Sequence, residues 1–254
     1  MKLIISAYFF VAAAYFFEPV RNILQMVVGG AMFIVSDLYI LMLFVVFSIF
    51  ALYRLGEPNR QKKKGMLGEQ KVVTALSNLT EGDYKLINDV TLPLSPRGTT
   101  QIDHILLSKY GIFVIETKNY TGVLHGKPND KKWTQVVKGR RHKMQNPLYQ
   151  NVKHVNEVIK LLKCEPLDVH SLVVFVGNAR LNSPMPEKVV QLTDLLHYIR
   201  HFKHDVFTQE QVSEFVDRIE ETRLKPGLAT DRLHLKFLQS KRTSKSKDKS
   251  GLTL

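Results

Sequence analysis

The chain opens with two almost unbroken apolar runs, LIISAYFFVAAAYFF (3–17) and LYILMLFVVFSIFALY (38–53), neither of which carries a charge. Extended back to Met26 across Asp37, the second reaches the ~20 residues that a spanning helix needs. The first does so only by drawing in its neighbours through Ile23. Beyond residue 53 the rhythm changes. Leu67, Val72, Val73, Leu76 and Leu79 recur at helical spacing and predict a helix over 66–79. YKLINDV (84–90) reads as a strand, and TLPLSPRG (91–98) as a loop, because of its prolines and glycine. Two alternating apolar runs, 101–107 and 111–118, predict a hairpin, whereas GKPNDKKWTQVVKGRRHKMQ (126–145) reads as irregular. Asn146 and Pro147 suit the N-cap and first position of a helix running to Leu162. SLVVFVG (171–177) has the continuous apolar character of a strand buried on both faces, and KVVQL (188–192) is a second short strand. Thr193 and Thr208 look like N-caps, the latter within a capping box, T-Q-E-Q. After Lys236 nothing could build a core, and the composition predicts disorder. Helices and strands interleave, so the fold class is α/β.

Charge divides the chain further. Lys2, Glu18, Arg21 and Asp37 are the only charges before residue 54, so the formal net charge of +13 belongs to the remainder. Such a surplus argues for an anionic partner, nucleic acid or an acidic membrane surface. Arg54, Arg60, Lys62, Lys63 and Lys64 follow the second apolar run, and only Arg21 lies between the runs. The positive-inside bias then puts the C-terminal part in the cytoplasm, with Lys2 on the same side. The expected location is a cell membrane, taken as a bacterial inner membrane. A signal peptide cleaved near Ala12–Ala14 is the alternative for the first run, although the second would still anchor the chain. Asp37 is expected at the interface. The expected organisation is a transmembrane helical hairpin (1–53), a basic linker (54–65), a soluble α/β domain (66–235) and a basic tail (236–254). Cys164 is the only cysteine, which excludes an internal disulfide and a thiolate zinc cluster.

The predicted hairpin holds acids where a buried sheet favours oil. Closure by a two- or four-residue loop around Lys109-Tyr110 sets Asp103 directly opposite Glu116, with Cβ atoms ~5 Å apart on one face. Lys118, two residues on, shares that face. Two acids so close need a cation between them or a shared proton. A hard divalent ion such as Mg²⁺ is held by one or two carboxylates plus phosphate oxygens. It lowers the pKa of bound water and stabilises a displaced phosphate oxygen. Lys118 would orient the water or neutralise the phosphate, which describes a phosphodiesterase site. The competing reading is an ordinary ion pair at a solvated strand end. Glu69 falls on the apolar stripe of its helix with Val72, Val73 and Leu76, where a carboxylate wants a metal or Lys118 as partner; interaction with the helix dipole is the alternative. Gln150 and His154 share a helix face. Gln150 suits a phosphate or the attacking water, and His154 suits a structural hydrogen bond equally well.

Five ordered blocks carry a family resemblance: G68-E69-Q-K-V72, Q101-I-D103-H104-I, G111-I-F-V-I-E116-T-K118-N119, Trp133, and N146-P147-L-Y-Q150-N-V-K-H154. Together they resemble the nuclease-related domain (NERD), a branch of the PD-(D/E)xK nucleases, over about 64–165. The resemblance implies a restriction-endonuclease-like mixed sheet flanked by helices. It implies Asp103, Glu116 and Glu69 as metal-binding acids for Mg²⁺ or Mn²⁺, Glu116 and Lys118 as the E-x-K pair, and Gln150 as the glutamine of a Q-x-x-x-Y/H motif. Ile102 departs from the proline in the superfamily's name.

On this reading the sheet holds Asp103, Glu116 and Lys118 at one edge, with Glu69 and Gln150 closing the site. His104 points away from Asp103 and serves packing or a supporting hydrogen bond, while Trp133 anchors the basic excursion to the core, with stacking on a base as the alternative. Lys127, Lys131, Lys132, Lys138, Arg140, Arg141 and Lys143 surround a single acid, Asp130. Beside a phosphodiester site they are expected to contact a nucleic-acid backbone, with steep salt dependence. The tail suits DNA or anionic lipid alike. The function expected is a membrane-anchored, metal-dependent nuclease acting on nucleic acid, DNA rather than RNA. The alternatives are a non-catalytic module tethering nucleic acid or a partner to the membrane, and basic segments that bind lipid only.

Overall fold

The computed structural model describes residues 17–18, 31–80, 82–96 and 98–250. The chain separates into two compact units, Met1–Gln61 and Lys62–Leu254.

Helix α1 (Ala31–Thr80) supplies the first unit's described residues from 31 onward and continues into the second. Large apolar side chains between Tyr39 and Leu52 are exposed all round it, Leu41 at 58% and Leu52 at 69%. Among the described residues no helix is long and apolar enough to cross a membrane. Apart from Phe17, the first apolar run lies outside the described residues, as do Lys2, the Ala12–Ala14 stretch and Arg21; the side chain of Asp37 is likewise not described. Residues 54–65, expected as a linker, are helical backbone within α1. Arg, Gln and Lys at 60–64 are good helix formers, which favours continuation.

The second unit is built on a five-stranded sheet in the order β1 (Tyr84–Pro93), β2 (Thr99–Ser108), β3 (Gly111–Lys118), β7 (Val169–Phe175) and β9 (Val189–Gln191). The first three strands are antiparallel, and β7 and β9 add in parallel. Alternation along β3 feeds two cores. Ile112 and Val114 pack with α2 (Pro147–Leu162) and α4 (Gln209–Thr222), while Phe113 and Ile115 pack with the last turns of α1 and with α3 (Leu195–Arg200). The sheet is therefore covered by helices on both faces, the expected mixed α/β arrangement. Asn146 caps α2, its side chain accepting from Leu148 N at 2.9 Å, and Thr208 and Gln211 form the reciprocal capping box of α4. The cap expected at Thr193 shifts to Asp194, because Leu192–Asp194 forms a 3₁₀ turn first.

A second sheet, in the order β6-β5-β4-β8, occupies the segment expected to be irregular. Its strands are β4 (Gly122–His125), β5 (Lys132–Val137), β6 (Arg140–Gln145) and β8 (Ala179–Leu181). Lys138 and Gly139 have φ of 47° and 75° and close β5–β6 in two residues. Two left-handed residues in succession suit the twist of a hairpin, so a Lys-Gly pair does here what Asn-Gly more often does. Trp133 is fully buried and donates Nε1–H to Lys127 O at 3.0 Å, anchoring the sheet as expected.

Helix α5 (Leu228–Ser250) carries helical backbone through 236–250, the segment expected to be disordered. Lys62 pairs with Asp231 at 2.6 Å, and the Thr99 hydroxyl meets His234 Nδ1 at 2.8 Å, which fixes the first turns of α5. With no glycine or proline between 228 and 250, a helix so nucleated propagates through the Lys/Ser segment.

Candidate functional site

The β2–β3 ladder pairs Ser108 with Gly111 and runs to His104 opposite Ile115, the register predicted from the hairpin. One step further stand Asp103 and Glu116. The regular ladder ends there because Asp103 Oδ2 itself accepts the Thr117 N–H, at 2.7 Å. The two acids adjoin at the C-terminal end of β3. That strand is central in the sheet, so the site lies at the end of the middle strands rather than on an edge strand.

Glu116 is 2% exposed. Its Oε1 accepts from Lys118 Nζ, which also donates to Gln150 Oε1 at 3.2 Å. Its Oε2 is buried with no hydrogen bond, although His154 Nε2 lies 3.3 Å away, out of alignment. His154 is held through Nδ1 by the Thr100 hydroxyl at 2.9 Å. Burial pushes the Glu116 carboxyl up, but Lys118 and His154 outweigh it, and the group stays below its ordinary value. Burial alone would depress Lys118; the acids around it instead raise its pKa and hold it as an ammonium. Asp103 goes the other way. Burial, and then Glu116, push its pKa well above the usual carboxylate range, against Lys118 and the Thr117 N–H.

Glu69 arrives from α1. Gly68 makes this approach possible, since a Cβ there would stand 2.9 Å from Asn119 Cβ and 3.0 Å from Val176. Asn119, just past β3, donates to Lys64 O at 2.8 Å and ties helix to strand. Glu69 is half-buried, and its pKa is raised by burial, Asp89 and Glu116 against Lys118 and Lys62.

Asp89 is an acid of this neighbourhood that the sequence did not single out. The β1–β2 ladder pairs Asn88 with His104 and Val90 with Ile102 but omits Asp89. Asp89 has a φ of 51° and accepts from Gln101 Nε2 at 2.6 Å. The signal available was the polar Asn88-Asp89 step inside an apolar strand. His104 is buried as expected, with Nδ1 against Asn88 Oδ1 at 2.7 Å and Nε2 against Thr117 Oγ1 at 3.2 Å.

The structure thus brings Asp103, Glu116, Lys118, Gln150 and Glu69 together, and adds Asp89 and His154. Carboxylates exceed cations here, and one buried carboxylate oxygen makes no aligned hydrogen bond, with His154 Nε2 3.3 Å away. That donor set suits a hard divalent cation, for which two carboxylates suffice when substrate oxygens complete the shell. Among the described residues, no group of three or more His, Cys, Asp or Glu side chains is placed to hold a metal ion.

The seven basic residues are all exposed on or beside the second sheet. Lys131, Lys132 and Lys143 line one cavity; Lys138, Arg140 and Arg141 belong to the turn end of β5–β6, and Lys127 to the loop before β5.

The nuclease-related domain family matches residues 64–176, which include every residue of this site. An uncharacterized protein of Bacillus anthracis is 32% identical over 184 residues, covering 71% of this chain and 86% of that relative. No solved structure matches the chain.

Proposed function

The chain belongs to the nuclease-related domain family, and from that premise we propose that it is a membrane-anchored nuclease hydrolysing phosphodiester bonds, in DNA rather than RNA, with Mg²⁺ or Mn²⁺. The observation that carries this reading is the convergence of Asp103, Glu116 and Lys118 at the end of β3, with a buried Glu116 oxygen that has no hydrogen bond. A sheet meant only for packing or tethering has no use for such a cluster, because carboxylates repel phosphate. The mixed sheet with helices on both faces supports a restriction-endonuclease-like fold. Asp103 and Glu116 would hold the ion, with Glu69 beside them, and the ion would supply charge stabilisation and a water of lowered pKa.

The side chains then have distinct work. Lys118, held as an ammonium between Glu116 and Gln150, meets the negative charge that develops on the phosphate and does not act as a base. Gln150 keeps that ammonium directed and has an amide N–H₂ for a phosphate oxygen or the attacking water. His104 and Thr117 act through Asp103: the Thr117 N–H fixes its carboxylate, and His104 fixes Thr117. The apolar surface of α1 from Tyr39 to Leu52, together with the two apolar runs, supports the anchor.

The test is cleavage of supercoiled, linear and single-stranded DNA, and of RNA, with Mg²⁺, Mn²⁺ or chelator. Asp103→Asn keeps an acceptor for the Thr117 N–H and so separates chemistry from folding. It and Lys118→Ala should each lower the rate by about a hundredfold or more. Cleavage that survives both substitutions would refute the site. Absence of cleavage, with salt-sensitive DNA binding unchanged in Asp103→Asn, would favour the tethering module.

A further inference from the structure

We propose that a groove between hairpin β5–β6 and helix α2 binds a single nucleic-acid strand and leads it to Lys118. This refines the nuclease reading and rests on it. The groove has a volume of 740 Å³, and its lining includes Lys131, Lys132, Lys143, Lys153 and Tyr149 and no carboxylate. Thr134, two residues from Lys132 on the same hairpin face, stands opposite Lys143. The other face carries Trp133, which is buried in the core, and Met144, which packs against that core and also borders the groove. Core packing on one side therefore turns these lysines outward on the other.

Helix α2 supplies the second wall. Tyr149 and Lys153 are four residues apart and share a face. Lys153 lies about 60° around the helix from Gln150, whose amide oxygen receives the Lys118 ammonium at 3.2 Å. Groove and site thus use adjacent strips of the same two turns. The Tyr149 hydroxyl donates to Asn129 O at 3.1 Å, while the residue remains 42% exposed. Its ring is held by its tip and presented among four ammonium groups.

A basic groove with an aromatic platform is how single strands are bound, the cations following the backbone and the ring stacking on a base. A duplex hides its base faces from such a ring. A lipid surface could take both the cations and the ring at its headgroup level, but it has no use for a two-walled groove, and the vesicle measurement below separates it from a strand.

The test uses the full chain in detergent with metal chelated, titrated against a fluorescent single-stranded DNA oligonucleotide and the matching duplex. Lys132→Ala, Lys143→Ala and Lys153→Ala combined should weaken single-strand binding about tenfold or more and reduce the salt slope by about 2. Tyr149→Ala should weaken it about fivefold or more, and Tyr149→Phe should retain it. Lys85→Ala, exposed on the edge strand β1 and outside the groove, should change it little. Single-strand affinity unchanged in the triple variant would overturn the proposal, as would an equal or greater affinity for duplex. So would loss of binding to anionic phospholipid vesicles with DNA binding intact. Cleavage with metal separates the two readings. A chain whose groove variants lose binding, yet which never cleaves, refutes the nuclease and keeps the groove; unaltered binding in a chain that cleaves refutes the groove alone.

Discussion

Glu116, 2% exposed with Lys118 on one oxygen and His154 Nε2 3.3 Å from the other, concentrates the electrostatic tension of the site. Removing one member of a buried pair costs about 3–5 kcal/mol, because the remaining charge loses its compensation. Lys118→Ala is therefore expected to destabilise as well as inactivate, and Asp103→Asn is the cleaner probe of chemistry. His104 adds a pH dependence. Burial lowers its pKa from 6.5 to about 4, against a smaller opposing pull from Glu116. Below 6.5 the unfolded chain takes up a proton that the folded chain refuses, so stability falls as pH falls. Between pH 7 and 5 this one residue should remove about 2 kcal/mol. Urea unfolding at both pH values should show that loss in the natural chain and a correspondingly smaller one in His104→Gln. Equal losses in both would mean that His104 is not held neutral.

At the scale of elements, the basic hairpin depends on its turn. Lys138 and Gly139 both take left-handed backbone, and a Cβ at Gly139 would meet nothing within 4 Å. Gly139→Ala should thus lose only conformational energy, about 1 kcal/mol. Lys138→Asn should offset part of it, since asparagine tolerates this region better. Thermal unfolding of the two single variants and the double variant measures both effects; an unchanged Gly139→Ala would contradict the two-residue turn. Glycine acts differently in α1, where Gly68 is required by close approach to Asn119 and Val176. That contact lets a helix on one face of the sheet deliver Glu69 past the strand ends.

At the scale of the whole molecule, a basic second unit follows an apolar first one. If residues 1–61 hold the chain in a membrane, the full chain should sediment with membranes and stay there in high salt. Residues 62–254 should be soluble, with unfolding of the α/β unit unchanged. Retention of the truncated chain on membranes at high salt would contradict this anchor. Local information was legible without a structure. The pairing that sets Asp103 beside Glu116 and Lys118 follows from a two-residue loop and the period of a strand, and the caps at Asn146 and Thr208 follow from side-chain chemistry within four residues. The hairpin at 132–145 was hidden, because its turn uses Lys-Gly and its strands are largely polar. Asp89 was hidden because its left-handed backbone interrupts the β1–β2 ladder at a single pair, with no glycine to mark it and the register unchanged on either side. Helix α5 was hidden because contacts from Lys62 and Thr99, distant in the chain, start it. By itself the sequence determined the α/β class, the β2–β3 hairpin and the identity of the acids and lysine it carries, since each depends on neighbours within one or two turns of chain. Only the tertiary structure decided that Glu69 reaches the strand ends, that Gln150 holds Lys118, and that Tyr149 and Lys153 stand across a groove from Lys132 and Lys143. These juxtapositions join segments tens of residues apart, and packing of helices on the sheet fixes them, with no periodicity along the chain to announce it.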